Sequence, residues 1–174
     1  QNITTAWEEQ KQVKEIMLFL HSRGVSTNLA TKIYKTYGDD ALEIVQENPY
    51  QLAADIYGVG FKTADQIAQD LGLPFDHPSR IEAGVVYALG EMSNDGHVFA
   101  PQGLLVERAA ELLGADDGLI PPALERLLQE DRIRIEQISA QETGSIASAH
   151  QGVTEPGTAY HFPAVYLTPF YYGE

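Results

Sequence analysis

The first part of the chain repeats itself with a shift of 34 residues, and this constrains the fold more than any other feature. Gly24-Val25-Ser26 aligns with Gly58-Val59-Gly60, Ala30 with Ala64, Ile33 with Ile67 and, upstream, Leu20 with Ala54. Each copy reads as a helix, a tight glycine–apolar–small turn, and a second helix. Glycine admits the positive φ and close backbone approach that such a turn needs. The central Val25 or Val59 can plug the space between the two helices. The alanine four residues past the turn lets those helices pack closely.

Apolar spacing and breakers place the elements. Helices are expected over Trp7–Ser22, stopped by Gly24, and over Thr27–Tyr37, ended by Gly38. A third is expected over Ala41–Gln46, capped by Asp39 or Asp40. A fourth over Tyr50–Ile56 is opened by Pro49, and a fifth covers Phe61–Leu71. Leu73–Ser79, with two prolines, reads as a linker. Ser79 then caps a helix over Arg80–Ser93, and Asn94-Asp95-Gly96 forms a turn. His97–Ala100 is a short strand, and Pro101 opens a helix that runs to Leu113. Asp116 or Asp117 caps a helix over Leu119–Gln129. Alternation over Arg132–Ile138 marks a half-buried strand, the loop from Ser139 to Ala159 follows, and Ala164–Leu167 is the return strand. This is the element order of a winged helix-turn-helix with an enlarged wing. The fold class is therefore mainly α. A tandem hairpin bundle over 1–75 is followed by a winged-helix-like α+β domain over 76–174, whose extended wing loop lies near 139–159.

Charge bears on partners. The formal net charge is −14, which repels phosphate at long range. Residues 1–75 hold six Lys/Arg against ten Asp/Glu, a net of −4, whereas residues 76–174 hold five Arg against fifteen Asp/Glu, a net of −10. Any nucleic-acid contact must be local and belongs to the first part. With no cysteine, disulfides, thiolate zinc sites and a cysteine nucleophile are excluded; a cytoplasmic setting is expected. No apolar run is long enough to span a bilayer, so no membrane partner is expected. The chain does not begin with Met and ends Tyr171-Tyr172-Gly173-Glu174; it reads as excised from a larger protein.

The repeated pattern resembles the helix-hairpin-helix motif, and the pair resembles its tandem domain. The resemblance implies that the turn and the start of the second helix present backbone N–H groups to a DNA phosphate. A helix N-terminus does carry unpaired donors and partial positive charge. Such a contact ignores base identity. The candidate phosphate-binding residues are Gly58, Val59, Gly60, Phe61, Lys62 and Thr63. Gly24, Val25, Ser26, Thr27 and Asn28 form the weaker set, because Ser26 replaces the second glycine and no lysine follows. Two longer stretches are similar to the region before the motor in RecD/TraA-family DNA helicases. They are Asn48-Pro49-Tyr50-Gln51-Leu52 with Tyr57 to Asp65, and Arg80-Ile81-Glu82-Ala83-Gly84 with Gly96-His97-Val98. Val165 to Tyr171 is similar to the segment leading into the ATPase core there. The resemblance implies a parent that unwinds DNA 5′ to 3′ in repair or recombination. ATP and magnesium would be the parent's cofactors, and its motor domains would be partners of this region.

The chain lacks the motor's own chemistry. A P-loop needs G-x-x-x-x-G-K-[ST], and no Gly-Lys pair occurs. The five histidines are scattered without zinc-site spacing, no acid/base pair stands out among the carboxylates, and no catalytic or metal residue is assigned. Trp7 is read as core or terminal packing. The helix over Leu119–Gln129 carries Arg126 but also Glu125, with Glu130-Asp131 beyond, which disfavours entry into a groove. Arg132 and Arg134 could touch backbone. The aromatic residues from Tyr160 to Tyr172 are expected to pack on the motor. The expected function is a non-catalytic, sequence-independent DNA-binding region, meeting single-stranded or forked DNA. The alternative is a protein-docking scaffold in which the hairpins only pack the fold.

Overall fold

The structure, a computed structural model, describes residues 3–96, 99–140 and 160–168. Its backbone divides into two units, Gln1–Ala83 and Gly84–Glu174.

In the first unit the repeat becomes five helices: α1 (Ile3–Ser22), α2 (Thr27–Tyr37), α3 (Ala41–Glu47), α4 (Gln51–Asp55) and α5 (Phe61–Asp70). The apolar positions that the two copies share form one core. Val25, Ala30 and Ile33 of the first copy are buried together with Val59 and Ile67 of the second, and Ala64 is buried too. Helix α3, which joins the copies, adds Ala41 and Val45. The two alanines have no exposed surface at all, as close helix packing requires.

The upstream half of the repeat does not hold. Leu20 is in the core, but Ala54 is exposed. Leu52 and Ile56 fill the core there instead, because α4 has only five residues and cannot repeat the long face of α1. Other expectations shift at the element ends. Helix α1 starts at Ile3, ahead of Trp7, and Trp7 is 69% exposed, so it belongs to no core. Asp40 stands at the N-cap of α3 without a side-chain cap bond, because a 3-10 turn over Gly38–Asp40 leads straight into the helix.

Helix α6 (Pro78–Asn94) begins inside the stretch read as linker. Its first turn is capped by His77 rather than Ser79: the Ser79 amide donates to His77 Nδ1 at 3.3 Å, and proline suits the first helical position. A buried network fastens this start to the second hairpin. Arg80 Nε donates to Asp65 Oδ1 at 2.9 Å and Arg80 Nη2 to Asp65 Oδ2 at 3.3 Å. The same carboxylate accepts from the Tyr50 hydroxyl at 2.7 Å and from Gln69 Nε2 at 2.9 Å. Arg80 also donates to the Phe75 carbonyl and lies over the Phe75 ring. A buried charge pair persists only when its remaining donors and acceptors are satisfied in this way.

The second unit holds the rest of α6, then β1 (Ala100–Pro101), α7 (Gln102–Leu113), α8 (Ile120–Gln129), β2 (Ile133–Ala140) and β3 (Tyr160–Leu167). The strands form one antiparallel sheet in the order β1-β3-β2, with Ile133 opposite Leu167 and Ala140 opposite Tyr160. Element order and strand order are those of a winged-helix-like α+β unit. Gly84 lies against the Leu113 side chain, which an added Cβ would overlap, so the missing Cβ lets α6 and α7 approach closely here. Pro101 closes β1 and stands at the N-cap of α7, and the expected strand at His97–Ala100 is seen as β1; His97 and Val98 lie outside the described residues. Asp116 caps a 3-10 turn, Asp117–Leu119, that precedes α8. The return strand starts earlier than expected, at Tyr160. Ser139 and Ala140, expected in the wing loop, continue β2 because they pair with His161 and Tyr160; the rest of that expected loop, residues 141–159, lies outside the described residues.

Candidate nucleic-acid interface

Both turns adopt the conformation that the glycines were expected to permit. Gly24 has φ +75 and Gly58 has φ +89, a region costly for residues with a Cβ. At the first turn the Val25 amide donates to the Leu20 carbonyl at 3.0 Å and the Gly24 amide to His21 at 3.1 Å, closing α1. At the second the Val59 amide donates to Ile56 at 3.1 Å. Both valines turn inward, and Phe61 is buried with its ring stacked on Tyr50, centroids 6.0 Å apart. The Val25 and Val59 amides are thus already used within the fold, and all three side chains are turned away from solvent. Gly58, Gly60, Lys62 and Thr63 are exposed, as are Gly24, Ser26, Thr27 and Asn28.

The helix starts differ. Ser26 caps α2, its Oγ accepting from the Leu29 amide at 3.3 Å. Gly60 at the start of α5 has no side chain with which to cap it. A first-turn donor that Ser26 occupies in the first copy is thus left by Gly60 in the second for solvent or a ligand.

The surroundings differ as well, because each turn meets the second helix of the other copy. A Cβ on Gly24 would lie 3.8 Å from Asp70 Oδ2 of α5, whereas a Cβ on Gly58 would lie 3.7 Å from Lys32 Nζ of α2. The first turn therefore faces a carboxylate and the second an ammonium group. Arg23, the cation next to the first turn, donates to the Asp70 carbonyl at 2.6 Å and lies over the Phe19 ring at 5.7 Å. Lys32 and Lys62 make no ion pair among the described residues. Lys62 and Thr63 also line a groove of about 410 Å³ with Gly24, Val25 and Ser26, and Gln66 and Asp70 belong to the same lining. The structure thus brings Lys62 and Thr63 of the stronger set beside Gly24, Val25 and Ser26 of the weaker one, while Gly58, Val59, Gly60, Phe61, Thr27 and Asn28 do not line this groove. Lys32 is the residue that sequence reasoning missed. Its only signal was a lysine on the exposed face of α2, which local spacing does not connect to a turn 26 residues later.

In the second unit Arg132 and Arg134 each lie near an exposed carboxylate. Arg132 pairs with Glu130 at 3.7 Å and Arg134 with Asp131 at 3.9 Å. Phe162 and Tyr166 of β3, expected to face a motor, pack on Phe99 at 5.9 and 6.1 Å between centroids. Among the described residues no group of His, Cys, Asp and Glu could hold a metal ion. No described helix is long and apolar enough to cross a membrane.

Residues 9–99, just over half of the chain, match the model of the ATP-dependent RecD2 DNA helicase HHH domain. The chain belongs to this family. It is also 27% identical over 159 residues to an ATP-dependent RecD2 DNA helicase of Deinococcus radiodurans, covering 91% of this chain and 21% of that protein. The chain thus spans about a fifth of the length of the curated relative it matches. The RecD2 HHH match covers all five helices of the first unit from Glu9 onward and runs through α6, so the hairpin turns and the Asp65–Arg80 network lie within it.

Proposed function

We propose that this chain is a non-catalytic, sequence-independent DNA-binding region of an ATP-dependent DNA helicase, gripping a strand phosphate at its second hairpin turn. One observation carries the reading. Gly58 and Gly60 are exposed, with the Lys32 ammonium beside Gly58 and Lys62 two residues past Gly60, whereas Gly24 has the Asp70 carboxylate beside it; Lys62 also lines the groove at the first turn. Lysine and exposed backbone donors together suit a phosphate oxygen. No base edge is read by such a contact, so affinity is uniform over sequences. The acidic remainder of the surface opposes DNA at long range, which keeps the contact local and the intrinsic affinity modest. In a whole helicase this region would hold single-stranded or forked DNA while the motor translocates 5′ to 3′ in repair or recombination. ATP and magnesium would belong to that motor, since no Gly-Lys pair exists here to cradle a nucleotide.

A second reading, a protein-docking scaffold, draws on Ile3, Trp7 and Leu18, which are exposed along α1 as apolar surface often is at docking sites. A salt series separates the two. Single-stranded, duplex and forked DNA are titrated into the chain, and the slope of log K against log salt is read for the unsubstituted chain, Lys62→Ala and Lys32→Ala. Each substitution should weaken binding equally on all sequences and reduce the slope by about 0.9 on duplex and about 0.7 on single-stranded DNA. Absence of binding at low salt would replace the first reading with the second.

A further inference from the structure

We propose that Tyr57 is a stacking platform for an unpaired nucleobase, so that the second turn takes single-stranded DNA, or the open arm of a fork, in preference to duplex. The inference rests on the reading that this turn holds a phosphate, and it names the class of DNA held. Tyr57 is 97% exposed, more than any other large hydrophobic residue described. It makes no hydrogen bond and no ring contact among the described residues. Its aromatic neighbours in sequence, Tyr50 and Phe61, are by contrast buried against each other. Both faces of its ring stand in water, at an energetic cost that a stacked base would remove.

The setting fits a nucleotide better than a protein. Aromatic anchors at protein interfaces sit among other groups that exclude water. Tyr57 instead adjoins exposed Gly58 and Gly60, with the Lys32 ammonium against Gly58. An exposed ring one residue from a turn that has an ammonium group beside it offers the two contacts that hold a single strand, a ring under a base and a cation on the backbone. The nearby Asp55 carboxylate is already engaged by the Tyr37 hydroxyl at 2.8 Å and by Gln51 Nε2 at 3.1 Å. In a duplex every base is already stacked and paired, so the ring would gain nothing there.

The test uses the 174-residue chain at fixed low salt and three labelled probes read by fluorescence anisotropy: oligothymidine, a strand of the same length built of abasic sites, and duplex. Tyr57→Ala should weaken oligothymidine binding on the order of tenfold and leave the abasic strand and the duplex unchanged. Tyr57→Trp should retain the affinity. Because the side chain is outside the core, unchanged thermal unfolding verifies that the variants fold. Equal binding of oligothymidine by Tyr57→Ala and the unsubstituted chain overturns the proposal, as does an equal loss on the abasic strand. Lys32→Ala/Lys62→Ala separates this from the underlying reading. If that variant weakens all three probes while Tyr57→Ala weakens none, the platform falls and the phosphate grip stands. If Tyr57→Ala alone loses oligothymidine, the platform stands and the grip falls.

Discussion

At the first hairpin turn Gly24 lies beside the Asp70 carboxylate, Arg23 is tied to the Asp70 carbonyl, and Ser26 occupies a donor of the following helix. At the second, Gly58 lies beside the Lys32 ammonium and Gly60 leaves the helix start uncapped. The buried positions do not show this divergence: Val25 and Val59, Ala30 and Ala64, and Ile33 and Ile67 are matched in burial and in role. The two copies therefore keep the same packing task and differ in the electrostatic one. The lesson is physical. A repeat preserves what each copy does for the shared core, while the character of each turn is set by whichever side chain the other copy places across from it.

The largest way to break the comparison is through the network that only the second copy carries. Asp65 corresponds by the shift to Thr31, whose hydroxyl merely donates to the Thr27 carbonyl of its own helix at 2.8 Å. Asp65→Ala leaves the Arg80 guanidinium buried without its carboxylate and should cost about 3–5 kcal/mol in denaturant unfolding. Thr31→Ala should cost less than about 1 kcal/mol. Similar losses for the two would mean that the second hairpin is not specially fastened.

A middle-sized effect is expected at Tyr50. Burial first, and then its hydrogen bond to Asp65, raise this phenol well above its ordinary value. The folded state therefore holds the proton more tightly than the unfolded state. The stability that Tyr50 contributes is complete below the unfolded tyrosine value of about 10 and declines as pH rises above it. Tyr50→Phe should cost about 1 kcal/mol at neutral pH and make the alkaline decline shallower. A residual decline should remain from Tyr37, which is raised by burial and by its bond to Asp55. An alkaline limb as steep in Tyr50→Phe as in the unsubstituted chain would mean that Tyr50 is not the group titrating.

The smallest effect sharpens the comparison at the turns themselves. Ser26→Gly gives the first corner the sequence of the second and removes the cap on α2, at a cost of a few tenths of a kcal/mol. DNA affinity should stay unchanged, because Asp70 remains beside Gly24. A severalfold gain in affinity would show that the cap, and not the carboxylate, silences the first turn.

Much of this was legible beforehand, for reasons that particular residues make clear. Gly24, Gly38, Gly58 and Gly114 ended or joined helices where expected because positive φ is a local demand that glycine meets. Helix α2 ran from Thr27 to Tyr37 as read, since its cap, its apolar face and its stop are all encoded within one short segment. The upstream match of Leu20 to Ala54 failed because α4 is too short to repeat α1, and helix length depends on what the core still has room to bury. His77 as the cap of α6 was missed because Ser79 is the commoner capping type and only the backbone path shows which side chain reaches the amide.

The amino-acid order alone determined that two glycine turns would each be followed by a helix with a small residue and an isoleucine facing inward. Those requirements are met by neighbours three to eight residues apart, through steric limits on φ and the period of a helix. Only the tertiary structure decided that Lys32 stands at the second turn and Asp70 at the first, and that Tyr57 has nothing to pack on. Those facts depend on side chains brought together across the bundle from distant segments, where charge acts through space and takes no account of sequence separation.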